Sequence, residues 1–315
     1  MKMTGKSISI QEYAARFRDN CEMDGGEVDL KLAGSFVLPP RKAISHKYSY
    51  GRALMIGGSA GFSGAPSLAA NACERSGAGL THLLVPESIY TIAAAKCDGA
   101  VVTPLRCTEA GTIDRNALDA ILPALKKASA CAIGPGLGLN DDTGIIVESV
   151  INNADCPIVL DADALTICGG NMKLLEKCRV PVILTPHEGE FCRLGGDLTN
   201  GRLAGAVRFI REHRNAVLVL KGYGTLVAAE SGITVNPTGG PALAKGGSGD
   251  VLCGIICALL AQGFDPVFSA RCGVYIHGTA GDLAAAHYGD YSVAPSDLIR
   301  LLPEVFKDLI GDPEG

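Results

Sequence analysis

The sequence predicts an α/β fold, a mostly parallel sheet with helices on both faces. Three observations lead there. From Tyr50 onward, short apolar runs rich in β-branched residues alternate with segments of helical pattern. The 40 glycines among 315 residues sit at the junctions of these segments rather than in one tract. Six junctions carry glycine or charge at what would be a strand's carboxyl end, where open parallel sheets bind their ligands.

The first forty or so residues stand apart. "SISIQEYAARFRDN" has the pattern of a short amphipathic helix, followed by the polar "CEMDGGEVD" and then "VLPPRK". Residues 1–45 are expected to form an arm packed on the main body or on a neighbouring subunit. No later boundary is visible, so residues 46–315 read as one domain. Within it "RALMIGG" is a strand ending in glycines, and "APSLAANACERSGAG" is a helix of small residues. "LTHLLVP", "CAIGPGLG", "PIVLDADAL", "PVILTPHEGEF" and "AVLVLKGYGT" are further strands, with helical patterns such as "AGAVRFIREH" between them. "TLVAAESGITVNPTG" breaks the rhythm, since two short strands around Ser231-Gly232 make a hairpin. An apolar helix from Val251 to Ala261 follows, then the helix "SARCGVYIHGTAGDLAAAHY" and a last one from Pro295.

Composition narrows the function classes. Apolar residues make up 47% of the chain, enough for a sizeable core, and a net charge of -5 gives no reason to expect nucleic acid or an anionic membrane as partner. The start "MKMTGKSISIQEYAARFRDN" lacks the apolar core that secretion needs. Twelve cysteines include no C-x-x-C pair, and Cys253 and Cys257 are spaced as neighbours on a helix. Such dispersed thiols read as small core residues in a reducing cytoplasm rather than as a metal site. The run Val251–Ala261 is too short to span a bilayer.

The chemistry gathers at "GGSAGFSGAP" (57–66), "GPGLG" (134–138), "DADAL" (161–165), "TPHEGEF" (185–191), "KGYGT" (221–225) and "GGSGD" (246–250). In "GGSGD", glycines let successive N–H groups converge on an anion, and the helix that follows adds partial positive charge. Asp250 then stands beside the anion. A carboxylate there is useful if it takes a proton, as a base does when a hydroxyl attacks a phosphoryl group. The plain alternative is that Ser248 or Asp250 caps the helix and does nothing more. The spacing fits neither the P-loop nor the G-x-G-x-x-G fingerprint. "KGYGT" places Lys221 at a strand end before a glycine turn, which a solvated lysine would also satisfy. Asp161 and Asp163 would share a face of a strand, although one of them could simply cap the next helix. His187, Glu188 and Glu190 cluster after a proline, where they could be structural, touch substrate or hold a hydrated metal.

In their order and placement these motifs resemble the ribokinase-like superfamily, and within it the NAD(P)H-hydrate dehydratases. The resemblance is carried by "HKYSYGRALMIGGSAGFSGAPSLAA", "GPGLG", "LDADAL", "LTPHEGEF", "LKGYGT" and "NPTGGPALAKGGSGDVLCGII", and covers roughly residues 46 to 300. It implies a three-layer α/β/α fold with a mostly parallel central sheet. It also implies a repair activity, the ADP-driven dehydration of the S epimer of hydrated NADH or NADPH, with AMP and phosphate as products and Mg²⁺ as cofactor. Asp250 resembles the superfamily's base, and the N–H groups of Gly247, Ser248 and Gly249 its anion hole. Lys221, Gly222, Tyr223, Gly224 and Thr225, with Gly249, match the adenine-nucleotide site. Ala65, Gly136 and His187, with Asp250, match the hydrated-nicotinamide site. Glu190 stands where the superfamily has the glutamate that organises magnesium through water.

Three details depart from the family. His46-Lys47-Tyr48 replaces H-K-G and suggests a different entrance. Ser248 replaces threonine, and Lys245 adds a positive charge beside the phosphate site. The bacterial look of "GGSGDVLCGII" favours ADP over ATP. The arm is too short for the epimerase domain often fused to such enzymes, so a separate epimerase is the expected functional partner. A homotetramer in the cytoplasm is likewise what the resemblance implies. Two other readings compete: a kinase of the same superfamily acting on a hydroxymethylpyrimidine or thiazole alcohol, and a non-catalytic nucleotide sensor, which would have no use for a base.

Overall fold

The computed structural model describes residues 36–311 and the backbone of residues 30–32. The amphipathic helix expected in "SISIQEYAARFRDN" lies outside these described residues. The strands are β1 (Leu30–Leu32), β2 (Arg52–Ile56), β3 (Leu80–Pro86), β4 (Val101–Leu105), β5 (Ala130–Ile133), β6 (Ile158–Leu160), β7 (Val182–Leu184), β8 (Ala216–Leu220), β9 (Leu226–Ala229) and β10 (Gly232–Val235). The helices are α1 (Gly64–Arg75), α2 (Tyr90–Lys96), α3 (Leu118–Leu125), α4 (Asp141–Asn153), α5 (Asp163–Gly169) and α6 (Lys173–Lys177). They continue with α7 (Glu188–Arg193), α8 (Gly201–Glu212), α9 (Ser248–Ala261), α10 (Pro266–Tyr288) and α11 (Pro295–Leu309).

All ten strands form one sheet in the order β1-β10-β9-β8-β7-β6-β5-β2-β3-β4. From β4 to β8 the neighbours are parallel, and β9 and β10 form the hairpin expected around Ser231-Gly232. The parallel sheet is covered on both faces, and β2 shows how. Leu54 and Ile56 pack into one cluster with residues of α3 to α8, while Ala53 and Met55 pack into another with α1, α9 and α10. That alternation is the period of a strand, and both sides being apolar is what a doubly covered sheet demands. A third cluster binds α11 to the outer side of α9 and α10.

The sequence reading overlooked two strands, and both are at edges. β4 reads "VVTPL", and Pro104 is tolerated because, among the described residues, this strand has a neighbour on one side only. β1 lies in the segment read as an arm and pairs parallel to β10.

Helix α9 is buried along nearly its whole length and crosses α1 closely. A side chain at Gly254 would overlap the backbone of Ala69, and Ala72 lies next to it. Small residues here bring the two helix backbones together, and the start of α9 is thereby set at the carboxyl edge of the sheet. Leu38, directly before Pro39-Pro40, donates its N–H to the carbonyl of Leu309, the last residue of α11, and accepts the N–H of Gly311. Among the described residues, no helix is long and apolar enough to cross a membrane.

Candidate active site

Three adjacent parallel strands, β6, β7 and β8, end in Asp161, Thr185 and Lys221. Asp161 is only 2% exposed, and its Oδ1 accepts hydrogen bonds from Thr185 Oγ1 at 2.7 Å and from Lys221 Nζ at 3.2 Å. The Lys221 ammonium also lies 3.7 Å from Glu190 Oε2. Burial opposes its charge, but Asp161 and Glu190 outweigh that cost and hold Lys221 above its ordinary pKa.

Asp161 and Asp163 do not share a strand face. The backbone at Ala162 turns into the left-handed region, with φ 48°. Asp161 stays in the interior with Lys221, and Asp163 opens α5 and accepts the Gly138 N–H at 2.8 Å. That bond ties down the "GPGLG" loop. Gly136 within the loop has φ 61°, and a Cβ there would stand 2.9 Å from Phe62 Cβ and 3.4 Å from Ala65 Cβ. Only glycine lets the loop pass so close, and it brings Gly136 and Ala65 together as the sequence reading grouped them.

Glu190 and His187 form a reciprocal cap on α7. Glu190 Oε2 accepts the His187 N–H at 2.8 Å, and His187 Nδ1 accepts the Glu190 N–H at 3.2 Å. His187 borders a cavity of about 510 Å³ shared with Lys221, Gly222, Tyr223, Thr225 and Gly249. It thus stands with the "KGYGT" loop. Gly224 is buried beneath that loop, again in the left-handed region at φ 61°. Arg202 of α8, which the sequence reading missed, holds the same loop by its carbonyls. It donates to Leu220 O at 2.8 Å and Tyr223 O at 2.7 Å, and pairs with Glu188 at 3.3 Å.

The start of α9 completes the group. Gly247 is the N-cap in the left-handed region (φ 94°), and no side chain caps this helix. Capping by Ser248 or Asp250 is therefore not what these residues do. Ser248 is buried against His277 of α10, whose Nε2 lies 3.0 Å from Ser248 Oγ and 2.9 Å from the Ser248 carbonyl. Burial lowers the His277 pKa to about 4, so the imidazole is neutral and serves as a pin between α10 and α9. Of the three N–H groups read as an anion hole, that of Ser248 is turned towards Lys245 O at 3.3 Å. The second, that of Gly247, belongs to the N-cap residue, and the third, that of Gly249, lies in the first turn, which has no helical carbonyl for it; the Asp250 N–H, which the sequence reading did not include, lies in the same turn.

Asp250 carries the most unusual electrostatics. Burial first, and then the charges of Asp161, Asp163 and Glu190, push its carboxyl up to about 7 against the opposing pull of Lys221. A carboxyl with that pKa can hold or release a proton near neutrality, as a general base must.

Lys245 borders the same cavity, with its ammonium donating to the carbonyls of Tyr291 and Val293, each at 2.6 Å. One secondary expectation is corrected: His46-Lys47-Tyr48 does not shape the entrance, because the turn Lys47–Tyr50 precedes β2 at the amino edge of the sheet.

A doubly covered parallel sheet, a glycine-led helix start at its carboxyl edge and a buried carboxyl of raised pKa there define a ribokinase-like protein. Residues 53–304 match the family described as NAD(P)H-hydrate dehydratase. The chain is 42% identical over 277 residues to the bifunctional NAD(P)H-hydrate repair enzyme Nnr of Moorella thermoacetica, covering 86% of this chain and 52% of that protein. Its identity to the protein of the same name from Salinibacter ruber is 37% over 280 residues, covering 87% and 51%. The chain thus spans about half the length of the curated relatives it matches. Among solved structures, the ADP/ATP-dependent NAD(P)H-hydrate dehydratase of Bacillus subtilis, co-crystallized with ATP/Mg²⁺, is 32% identical. It superposes with a TM-score of 0.71, covering 87% of this chain and 95% of that one. A ribokinase-like superfamily protein of Enterococcus faecalis V583 is 27% identical with a TM-score of 0.77, covering 91% and 99%. The chain belongs to the NAD(P)H-hydrate dehydratase family.

Proposed function

We propose that the chain dehydrates the S epimer of hydrated NADH or NADPH, with ADP as phosphoryl donor and AMP and phosphate as products. The observation that supports this most is Asp250, whose carboxyl is held near 7 in the same helical turn as the N–H groups suited to a phosphoryl anion. In this reading the substrate hydroxyl gives its proton to Asp250. Its oxygen bonds to the β-phosphorus of ADP as the bond from that phosphorus to the AMP oxygen breaks. Hydroxide is a poor leaving group and phosphate a good one. The carbon–oxygen bond then breaks, phosphate leaves with the electron pair, and the ring nitrogen's lone pair takes its place. Loss of a proton from the adjacent ring carbon restores the double bond.

The residues present fit Mg²⁺ as a companion of the phosphates. Asp161, Asp163 and Glu190 each have an oxygen already engaged by a protein donor. Among the described residues, no three His, Cys, Asp or Glu side chains converge to hold an ion directly. That suits an ion which keeps most of its waters and binds mainly through substrate phosphates. Glu190 is the residue assigned to it, through water, and the ion would supply charge neutralisation at the phosphates. Residues 1–45 as an arm, residues 46–315 as the catalytic domain, and a cytoplasmic homotetramer complete the reading. The eleven described cysteines are all free, in keeping with a reducing compartment.

The test is direct. The protein is incubated with hydrated NADH and Mg²⁺, with ADP or ATP supplied in turn, and recovery of reduced-nicotinamide absorbance is followed. Recovery is expected with ADP. No recovery with either nucleotide overturns the dehydratase reading, and recovery mainly with ATP overturns the donor. Accumulation of a stable phosphorylated product would point to an ordinary kinase.

A further inference from the structure

The Lys221–Asp161 pair has no place in the proton transfer just described, yet it occupies the centre of the site. The Lys221 ammonium sits between two carboxylates, 3.2 Å from Asp161 Oδ1 and 3.7 Å from Glu190 Oε2. On its other side it meets the start of α9, where a Cβ on Gly249 would stand 3.2 Å from Nζ. Gly249 has ordinary helical backbone, since its φ is not positive. The space that glycine leaves there is therefore taken by the ammonium. Asp161 in turn is locked by Thr185 from the neighbouring strand end, so its carboxylate cannot follow a moving lysine.

We infer that Lys221 is the cation that holds the phosphoryl group in transfer beside the Gly249 and Asp250 N–H groups, and that Asp161 is the positioning residue that aims it. This rests on the phosphoryl-transfer reading above and adds a division of labour to it. Lys221, Gly222, Tyr223 and Thr225 border the cavity, and the Lys221 ammonium reaches the start of α9 beside Gly249. A lysine reaching freely from a strand end would sample many rotamers. Two carboxylates on one flank and a helix backbone on the other leave it one position, and the phosphoryl group then meets a charge already in place. Asp161 acts only through this lysine. It is buried behind it, and its Oδ1 is spent on Thr185 and Lys221.

The experiment measures the ratio of ADP to AMP affinity by calorimetry, because AMP lacks the phosphate that Lys221 would hold. This readout does not depend on which hydroxyl the enzyme phosphorylates. In Lys221→Met the ratio should fall about tenfold or more, the scale of one charge-assisted hydrogen bond, with AMP affinity within about threefold of the parent. Asp161→Asn keeps the shape and a partner for Thr185, so it folds. It should lower the ratio by about threefold to tenfold, and the double variant should be no worse than Lys221→Met alone. An unchanged ratio in Lys221→Met overturns the clamp, and additive losses in the double variant overturn the positioning role of Asp161. If both survive while hydrated NADH is not restored, the clamp stands and the substrate assignment falls. If the parent binds neither ADP nor AMP, both fall together.

Discussion

Helix α9 joins two cavities of very different character. At its start lies the cavity of about 510 Å³ beside Lys221, Gly249 and His277; past its end, at the amino edge of the sheet, lies one of about 720 Å³. The second is larger, and Arg41, Lys42 and Arg75 line it over an apolar floor that includes Leu259, Phe264 and Phe306. Among the described residues, none of these three cations has a carboxylate partner. Arg41 stacks on Tyr50, 3.9 Å from the ring centroid, and bonds the Gly77 carbonyl, a structural task. At the smaller cavity, opposite charges are buried against each other and one carboxyl is driven to about 7. Volume does not distinguish the two ends. Buried charges that constrain each other do.

The largest effect that would sharpen this contrast comes from Asp250→Asn. Turnover should drop by two or more orders of magnitude, the scale of general-base catalysis, while adenine-nucleotide affinity is retained. Near-normal turnover would remove Asp250 from its role. The same substitution should raise thermal stability at pH 8 by on the order of 1–3 kcal/mol, since it deletes a carboxylate that burial penalises.

The pH dependence follows from the same group. Its folded pKa of about 7 lies above the ordinary 3.8, so the stability associated with its neutral form is present at low pH and lost as pH rises through about 7. Activity runs the other way. The base must be ionised, so kcat/KM should rise across an acid limb centred near 7, and a limb centred near 4 would show that Asp250 is not the titrating base. Smallest of all should be the effects at the far end of α9. Lys42→Ala and Arg75→Ala, both on exposed side chains, should leave turnover within about twofold and stability within about 0.5 kcal/mol. A tenfold loss of activity in either would break the comparison between the two ends.

Much of the fold was legible because it is local. β2, β3 and β5 to β8 announce themselves as short apolar runs, and the hairpin by its Ser231-Gly232 turn. α9 and α10 stand out as long runs after glycine and proline signals. β4 was missed because Pro104 argues against a strand, and only its place at the sheet edge removes the objection. The site was legible in part for a similar reason. "GGSGD" and "KGYGT" show where glycine permits close approach. What they approach is not written beside them.

The sequence by itself determined the strand and helix pattern, the glycine-led start of α9 and the family to which these motifs belong. Periodicity and backbone freedom are properties of adjacent residues. Only the tertiary structure decided that Asp161 and Lys221, sixty positions apart, meet across the ends of β6 and β8. It likewise decided that His277 pins Ser248, that the Lys245 ammonium is held by the carbonyls of Tyr291 and Val293, and that Asp250 is buried among like charges. Coulomb energies and desolvation depend on distances between chain segments, and those distances exist only once the sheet has set its strands in order.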